Sequence, residues 1–311
     1  MKCGCDRMKI LVTGGAGFIG SNLVDRLVKD HKVIVVDNLF TGKKENINKA
    51  AKFYHADVTS PHLRNIFRTE KPEIVFHLAA QMNVRKSAED PIFDAKTNIL
   101  GTLNLLTRCA EFGAKKIIYS SSGGAIYGEP HYLSVKENHP VTPLSQYGLS
   151  KFVGEKYIEL YRRNYGLNCS ILRYSNVYGP RQDPSGEAGV ISIFIGRLLK
   201  GQRPVIFGDG EQTRDFVYVD DVVKANLVSL KKEGTYNIGT GKETSVNEIF
   251  EMLSNLLGRH VKPFHDKPVE GEVRRICLDV SKARRELNWK ASTSIKEGLK
   301  ETIKWAKEEA K

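Results

Sequence analysis

Several absences narrow this 311-residue chain before any motif is read. No run of about 18 apolar residues occurs, so no membrane-spanning helix is expected. The N-terminus lacks the apolar core of a signal peptide, and the expected location is the cytoplasm. Five cysteines (Cys3, Cys5, Cys109, Cys169 and Cys277) are scattered and odd in number, which argues against a disulfide framework. Cys3-Gly-Cys5 is the one close pair, but no second pair or nearby histidine completes a metal site, so no metal is expected. The formal net charge is +12. No basic block is interleaved with aromatics as a base-stacking platform requires, so nucleic acid is not an expected partner. Lys/Glu mixtures on helix faces, as in Lys296 to Lys311, read as solvated surface, and a positive field also favours an anionic nucleotide substrate. There is no repeat of fixed period and no low-complexity linker.

What is present centres on Lys9 to Gly20, KILVTGGAGFIG. Ile10, Leu11 and Val12 read as a buried strand, broken by Thr13, Gly14 and Gly15. Phe18, Ile19, Leu23, Val24 and Leu27 then recur at helical spacing. Gly14 suits the tight turn, Gly17 lets a pyrophosphate approach the backbone at the helix N-terminus, and Gly20 lets the helix lie close on the strand. The next strand, Lys32 to Val36, ends in Asp37. A carboxylate there accepts from both ribose hydroxyls of an adenosine and repels a 2′-phosphate, so the expected cofactor is NAD rather than NADP. Strand before, helix after and acid at the next strand end outweigh the alternative of a tight turn with no nucleotide.

Further along, Lys52 to His55 is strand-like and is followed by Asp57 and Val58. Ser60 and Pro61 read as the cap and first residue of a short helix to Thr69. Ile74 to Leu78 is a buried strand, and the small Ala79 and Ala80 after it allow a cofactor to lie close. His77 has no partner of metal-ligand type in sequence and reads as a satisfied core histidine. Residues 93 to 112 predict one long helix in which Asn98 must find a hydrogen-bond partner. Lys116 to Ser120 is the next strand, running into SSSGG at a carboxyl end, the edge where doubly wound sheets bind ligands.

Tyr147-Gly-Leu-Ser-Lys151 opens a helix expected to reach about Tyr165. Positions i and i+4 share a helix face, and an ammonium beside a phenol favours the phenolate, making it a usable general base near neutral pH. Cys169 to Arg173 is a sixth strand. Beyond Asn176-Val-Tyr-Gly-Pro180 the alternation breaks. A helix over Val190 to Leu199, a strand over Pro204 to Phe207, a helix over Val222 to Lys231, a strand and turn at Tyr236 to Gly241, and helices near 246–257, 281–287 and 295–309 are expected.

Taken together, TGGAGFIG (13–20), Asp37-Asn38, Asp57-Val58, HLAAQ (77–81), SSSGGAIYG (120–128), YGLSK (147–151), NVYGPRQ (176–182) and RDFVYVDD (214–221) resemble the extended short-chain dehydrogenase/reductase superfamily over nearly all of residues 8 to 311. Within it the chain is most similar to UDP-glucose (UDP-galactose) 4-epimerases and related NAD-dependent nucleotide-sugar epimerases. The resemblance implies NAD held by Gly14, Gly17, Phe18, Ile19, Asp37, Asn38, Asp57, Val58, Leu78, Ala79, Ala80, Gln81, Asn98, Tyr147, Lys151 and Tyr174. It implies Tyr147 as the base on the sugar 4-hydroxyl, Lys151 as its tuner and ribose anchor, and Ser122 as the hydrogen-bonding serine. Two glycines lengthen this segment by one residue against the commoner pattern, which keeps Ser121 as the alternative. Asn176 resembles the family's uracil-side or phosphate-side Asn, and Arg214 its diphosphate-clamping Arg. The second diphosphate Arg is missing from Val269-Glu-Gly-Glu272, and Arg274 is its candidate substitute. Dehydratases of this family carry an acid just before the Tyr-Gly. Here Gly123, Gly124, Ala125 and Ile126 stand there, which disfavours elimination.

The expected architecture is α/β, a Rossmann-type doubly wound parallel sheet with a smaller C-terminal substrate-binding lobe. Residues 1–7 read as an extension before a fresh start at Met8, 8–180 as the NAD domain and 181–311 as the nucleotide-sugar lobe, with segments free to return to the large domain. The expected activity is reversible epimerisation at carbon 4 of a UDP-hexose by a homodimer. The alternatives are an epimerase for UDP-N-acetylhexosamine or UDP-glucuronate, a 4,6-dehydratase, or a non-catalytic NAD(H) sensor. At Ile276 the resemblance places a gate on the sugar's 2-substituent.

Overall fold

Apolar β-branched runs alternate with amphipathic helices through the first half of the chain, and that alternation builds the sheet. A computed structural model describes residues 7–184, 189–259, 261–268 and 273–309. The strands are β1 (Lys9–Thr13), β2 (Lys32–Asp37), β3 (Lys52–His55), β4 (Ile74–His77), β5 (Lys116–Ser122), β6 (Asn168–Tyr174), β7 (Asn176–Tyr178), β8 (Val205–Phe207), β9 (Thr213–Arg214), β10 (Phe216–Tyr218), β11 (Gly234–Ile238), β12 (Thr244–Ser245) and β13 (Phe264–Asp266). The helices are α1 (Phe18–Leu27), α2 (Leu63–Glu70), α3 (Val84–Glu89), α4 (Pro91–Asp94), α5 (Gly101–Phe112), α6 (Gln146–Tyr165), α7 (Val190–Leu199), α8 (Val219–Ser229), α9 (Val246–Leu257), α10 (Ser281–Leu287) and α11 (Ile295–Glu309).

The main sheet runs β11-β6-β5-β4-β1-β2-β3, and β3, β2, β1, β4 and β5 pair in parallel. Chain direction across the sheet reverses between β1 and β4, and such a switch point opens a crevice at the carboxyl ends of the two strands. Thr13 pairs with His77 there. This is the Rossmann-type doubly wound α/β sheet expected from sequence.

The chain divides into two compact units. The first comprises the described part of Met1–Ser121 with Ser145–Leu172 and Asn226–Thr235. Its core sets Leu11, Ile34 and Val75 of the strands against Leu63, Phe67 and Leu105 of the helices. The second comprises Ser122–Leu144, Arg173–Ala225 and the described part of Tyr236–Lys311. There α7, α9 and α11 enclose a core that includes Phe194, Ile249 and Leu299, edged by the short pairs β7–β10, β8–β13 and β9–β12.

Three local expectations are corrected. The helix expected from Pro61 begins at Leu63, because Ser60 and Pro61 form turns that carry the amides of Leu63 and Arg64. The helix expected over Val222 to Lys231 spans Val219–Ser229, with Asp220 and Asp221 in the first turn where acids suit the helix dipole. The single helix expected over 93–112 is α4, a π-helical turn at Ala95–Leu100, and α5. The two- and three-residue strands of the second unit escape the sequence reading because they are too short to show a period.

Gly20 sits in the first turn of α1, where a Cβ would overlap the Gly14 carbonyl and crowd Gly15 Cα, all backbone atoms that cannot swing aside. Alanine ordinarily stabilises a helix interior, so the sign here is diagnostic. Gly20→Ala should lower the unfolding free energy by about 3 kcal/mol, as overpacking against backbone does, measured by urea denaturation.

Candidate active site

The glycine turn is shaped by contact. Gly14 has φ +70, and a Cβ on it would lie 2.7 Å from the Ala79 amide nitrogen, so β4's continuation can approach only a bare backbone. Gly17 caps α1 without a side chain, and the first turn of α1 holds no acid. The amides at this end therefore face outward with the positive end of the helix dipole, suited to a diphosphate. Phe18 and Ile19 are the first residues of that turn.

Asp37, at the end of β2, is buried and accepts from the Ala16 amide at 2.9 Å and the Leu39 amide at 2.8 Å. Those bonds hold the carboxylate at the rim of the glycine turn. Asn38 donates to Asp57 at 2.7 Å. Burial alone would raise the Asp57 carboxyl, but hydrogen bonds from Thr59 and Asn38 and the charge of Lys96 outweigh it and leave the group below the ordinary carboxylate range. Val58 is buried under Gly101, which leaves room for its methyls.

After β4, the Leu78 amide donates to the Thr13 carbonyl and the Ala79 amide to Thr13 Oγ1, continuing the ladder past the strand end. Asn98 lies in the π-helical turn and is buried. Its carbonyl oxygen accepts from the Gln81 amide at 2.8 Å, and its Nδ2 donates to the Gln81 carbonyl, Asp94 and Ser150. This is the partner the buried amide required. The Gln81 side chain is committed to Asn83 and Ser87, so Gln81 shapes the loop that follows Ala80. His77 is neutral and satisfied: Thr13 Oγ1 lies 2.8 Å from Nδ1 and Thr102 Oγ1 2.9 Å from Nε2. Burial pushes its pKa down to about 3, with the Lys151 charge adding to the effect.

Helix α6 starts at a proper cap, Ser145 Oγ accepting from the Gly148 amide at 3.1 Å. Tyr147 stands in its first turn and Lys151 one turn later. Lys151 is buried; its Nζ donates to the Ser120 carbonyl at 2.8 Å and lies 5.0 Å from the Tyr119 ring centroid and 6.0 Å from that of Tyr147. Burial lowers its pKa to about 8, against the opposing pull of Asp94 and Glu155. Ser121 is buried with its hydroxyl donating to Glu155 at 2.5 Å, whereas Ser122, the last residue of β5, is half-buried.

The remaining sequence candidates belong to the second unit. The Tyr174 carbonyl accepts from the Gly123 and Gly124 amides. Asn176 opens β7, its Oδ1 is buried with no hydrogen-bond partner, and a Cβ on Gly124 would lie 3.4 Å from it. Arg214 ends β9 and donates to the Thr213 carbonyl at 2.8 Å. Arg274 forms a two-pronged ion pair with Asp209, both bonds 2.8 Å, beside an open hollow of about 520 Å³ lined also by Glu129, His131, Tyr132 and Arg275. The Val269–Glu272 segment lies outside the described residues, as does Cys3-Gly-Cys5.

A family model described as the NAD dependent epimerase/dehydratase family matches residues 10–239. The chain belongs to that family. A Methanocaldococcus jannaschii protein provisionally named a UDP-glucose 4-epimerase is 57% identical over 300 residues, covering 96% of this chain and 98% of the other. A Thermotoga maritima UDP-glucose 4-epimerase, solved with UDP-glucose, superposes with TM-score 0.96 at 49% identity, over 98% of this chain and 100% of the other. A Thermus thermophilus UDP-glucose 4-epimerase solved with NAD gives TM-score 0.92 at 40% identity, over 96% and 99%.

For an NAD dependent epimerase/dehydratase, the first unit fits its cofactor. The uncapped α1 terminus suits the diphosphate, the Asp37 carboxylate suits a ribose diol, and Lys151 supplies an ammonium beside Tyr147. Among the described residues no cluster of His, Cys, Asp or Glu fit for a metal is found. Sequence reasoning missed Asp94, Ser150 and Glu155. Glu155 was within reach, since it continues the i, i+4 series of Tyr147 and Lys151 by one more turn.

The His77 environment yields a pH dependence. The unfolded imidazole binds its proton below about 6.5 while the folded one stays neutral down to about 3, so stability falls as pH drops through that window. By pH 5 this one group should cost about 2 kcal/mol. Urea unfolding at pH 7.5 and pH 5 should show the protein losing about 2 kcal/mol more stability over that interval than His77→Gln does.

Proposed function

We propose that the chain interconverts UDP-glucose and UDP-galactose by oxidising and re-reducing carbon 4 of the hexose through a transient 4-keto sugar. The observation that carries this reading is the Tyr147–Lys151 pair, one turn apart on α6, with Lys151 buried against the end of β5. The chemistry that NAD supplies when bound is reversible hydride exchange with that carbon. Tyr147 takes the proton of the 4-hydroxyl as the ketone forms and gives it back when either epimer is regenerated. Lys151 favours the phenolate through its charge and presents an ammonium to the ribose. Ser122 hydrogen-bonds the 4-oxygen; its half-exposed position supports this choice, because the Ser121 hydroxyl is engaged by Glu155. Asn176 and Arg214 hold the nucleotide diphosphate, the guanidinium fork matching its oxygens. Arg274 would join them on leaving Asp209. The Gly123 to Ile126 segment offers no side chain for the acid–base work of elimination, which supports epimerisation over dehydration.

We further propose a cytoplasmic homodimer serving galactose metabolism. Exposed Leu100, Leu149 and Leu160 near or on α5 and α6 supply an apolar surface of the kind a partner covers. Cys109, Cys169 and Cys277 are buried free thiols, in keeping with a reducing compartment.

Purified protein should convert UDP-galactose to UDP-glucose without added cofactor, and denaturation should release NAD. Tyr147→Phe should lower kcat by about 1,000-fold, in the upper range for lost general acid–base work, with the released NAD unchanged. Turnover of a different UDP-sugar alone would refute the hexose assignment, and turnover of none would refute the activity.

A further inference from the structure

Glu155 is fully buried on the face of α6 that carries Tyr147 and Lys151. Consecutive turns of this helix grip consecutive residues of β5: Lys151 holds the Ser120 carbonyl and Glu155 holds the Ser121 hydroxyl. Close approach is built in at Gly154, where a Cβ would overlap the Tyr119 hydroxyl. A carboxylate removed from water is costly unless a cation and hydrogen bonds compensate it, and the Ser121 hydroxyl supplies one such bond. Lys151, one turn earlier on the same face of α6, is a buried cation. The titratable groups around it are Asp94 from α4, Glu155 from its own helix, neutral His77 from β4, and the phenols of Tyr119 and Tyr147.

We propose that Glu155 is a positioning residue that keeps Lys151 in its ammonium form and, through Ser121, fixes where β5 ends. Its catalytic meaning rests on the Tyr147–Lys151 reading above, but its physical content does not. Burial draws the Lys151 pKa down to about 8, and Asp94 and Glu155 are the groups that oppose the fall. Glu155→Gln keeps a carbonyl oxygen for the Ser121 hydroxyl and removes only the charge.

The test is a pH titration of protein carrying ¹³C-labelled lysine, with the Lys151 ε-carbon signal assigned by its loss in Lys151→Met. The unaltered protein should titrate near 8. Glu155→Gln should move the midpoint acidic by about one unit, so that the ammonium fraction at pH 8 falls from about half to about one-tenth, and the alkaline limb of kcat should move with it. Glu155→Asp should shift in the same direction by less, and it decides the matter if the Gln variant does not fold. Ser121→Ala should leave the midpoint in place. An unmoved or alkaline-shifted midpoint in the folded Glu155 variant overturns the proposal. So does a shift in Ser121→Ala equal to that of Glu155→Gln, since the hydrogen bond would then be what sets Lys151. Full activity in Tyr147→Phe would refute the catalytic role given to Tyr147 while leaving this titration untouched.

Discussion

Lys151 brings a positive charge into a place that water does not reach, and much of the first unit is arranged around that fact. Its ammonium must find a dipole or an anion. It finds the Ser120 carbonyl at the end of β5 and lies over the Tyr119 ring. Because the lysine belongs to α6, the same bond seats that helix on the strand and so sets where Tyr147 stands.

The opposite side of the switch point is organised by neutral polarity. Thr13, His77, Thr102 and Asn98 form a buried line of hydrogen bonds running from the end of β1 through β4 to the helices behind the sheet. Each group satisfies the next, which makes burial of so many polar atoms affordable. The line keeps Thr13 Oγ1 under the Ala79 amide, and with it the approach of Ala79 to Gly14. Cofactor shape and core polarity are thus one problem solved together.

What was legible in the sequence was local. The glycine turn, Asp37 and the Tyr147–Lys151 spacing each depend on residues a few positions apart, whose mutual placement a strand end or a helix turn dictates. The family resemblance reached further than the periodicity did, since β7 and β9 are too short to show a pattern yet carry Asn176 and Arg214. Less accessible were contacts between distant segments. That Ser121 rather than Ser122 meets Glu155 depends on which side of β5 faces α6. That Arg274 is held by Asp209 depends on the path between residues 65 positions apart. The π-helical turn was missed because its residues individually suit an α-helix.

That turn has a consequence for how the chain can change length. A π-turn holds one residue more than α geometry needs. Removing any residue from Ala95–Leu100 would heal the spiral into an uninterrupted rod and cost little helical content. Because the wide turn already absorbs its extra residue, the flanking segments would keep their facing, while the residues inside it would be drawn onto the tighter spiral, taking the Asn98 amide off Gln81. Substitutions here can be absorbed one by one, whereas a deletion that looks conservative would dismantle the wall beside Ala80. Between Asp94 and Gly101, the number of residues is itself under constraint.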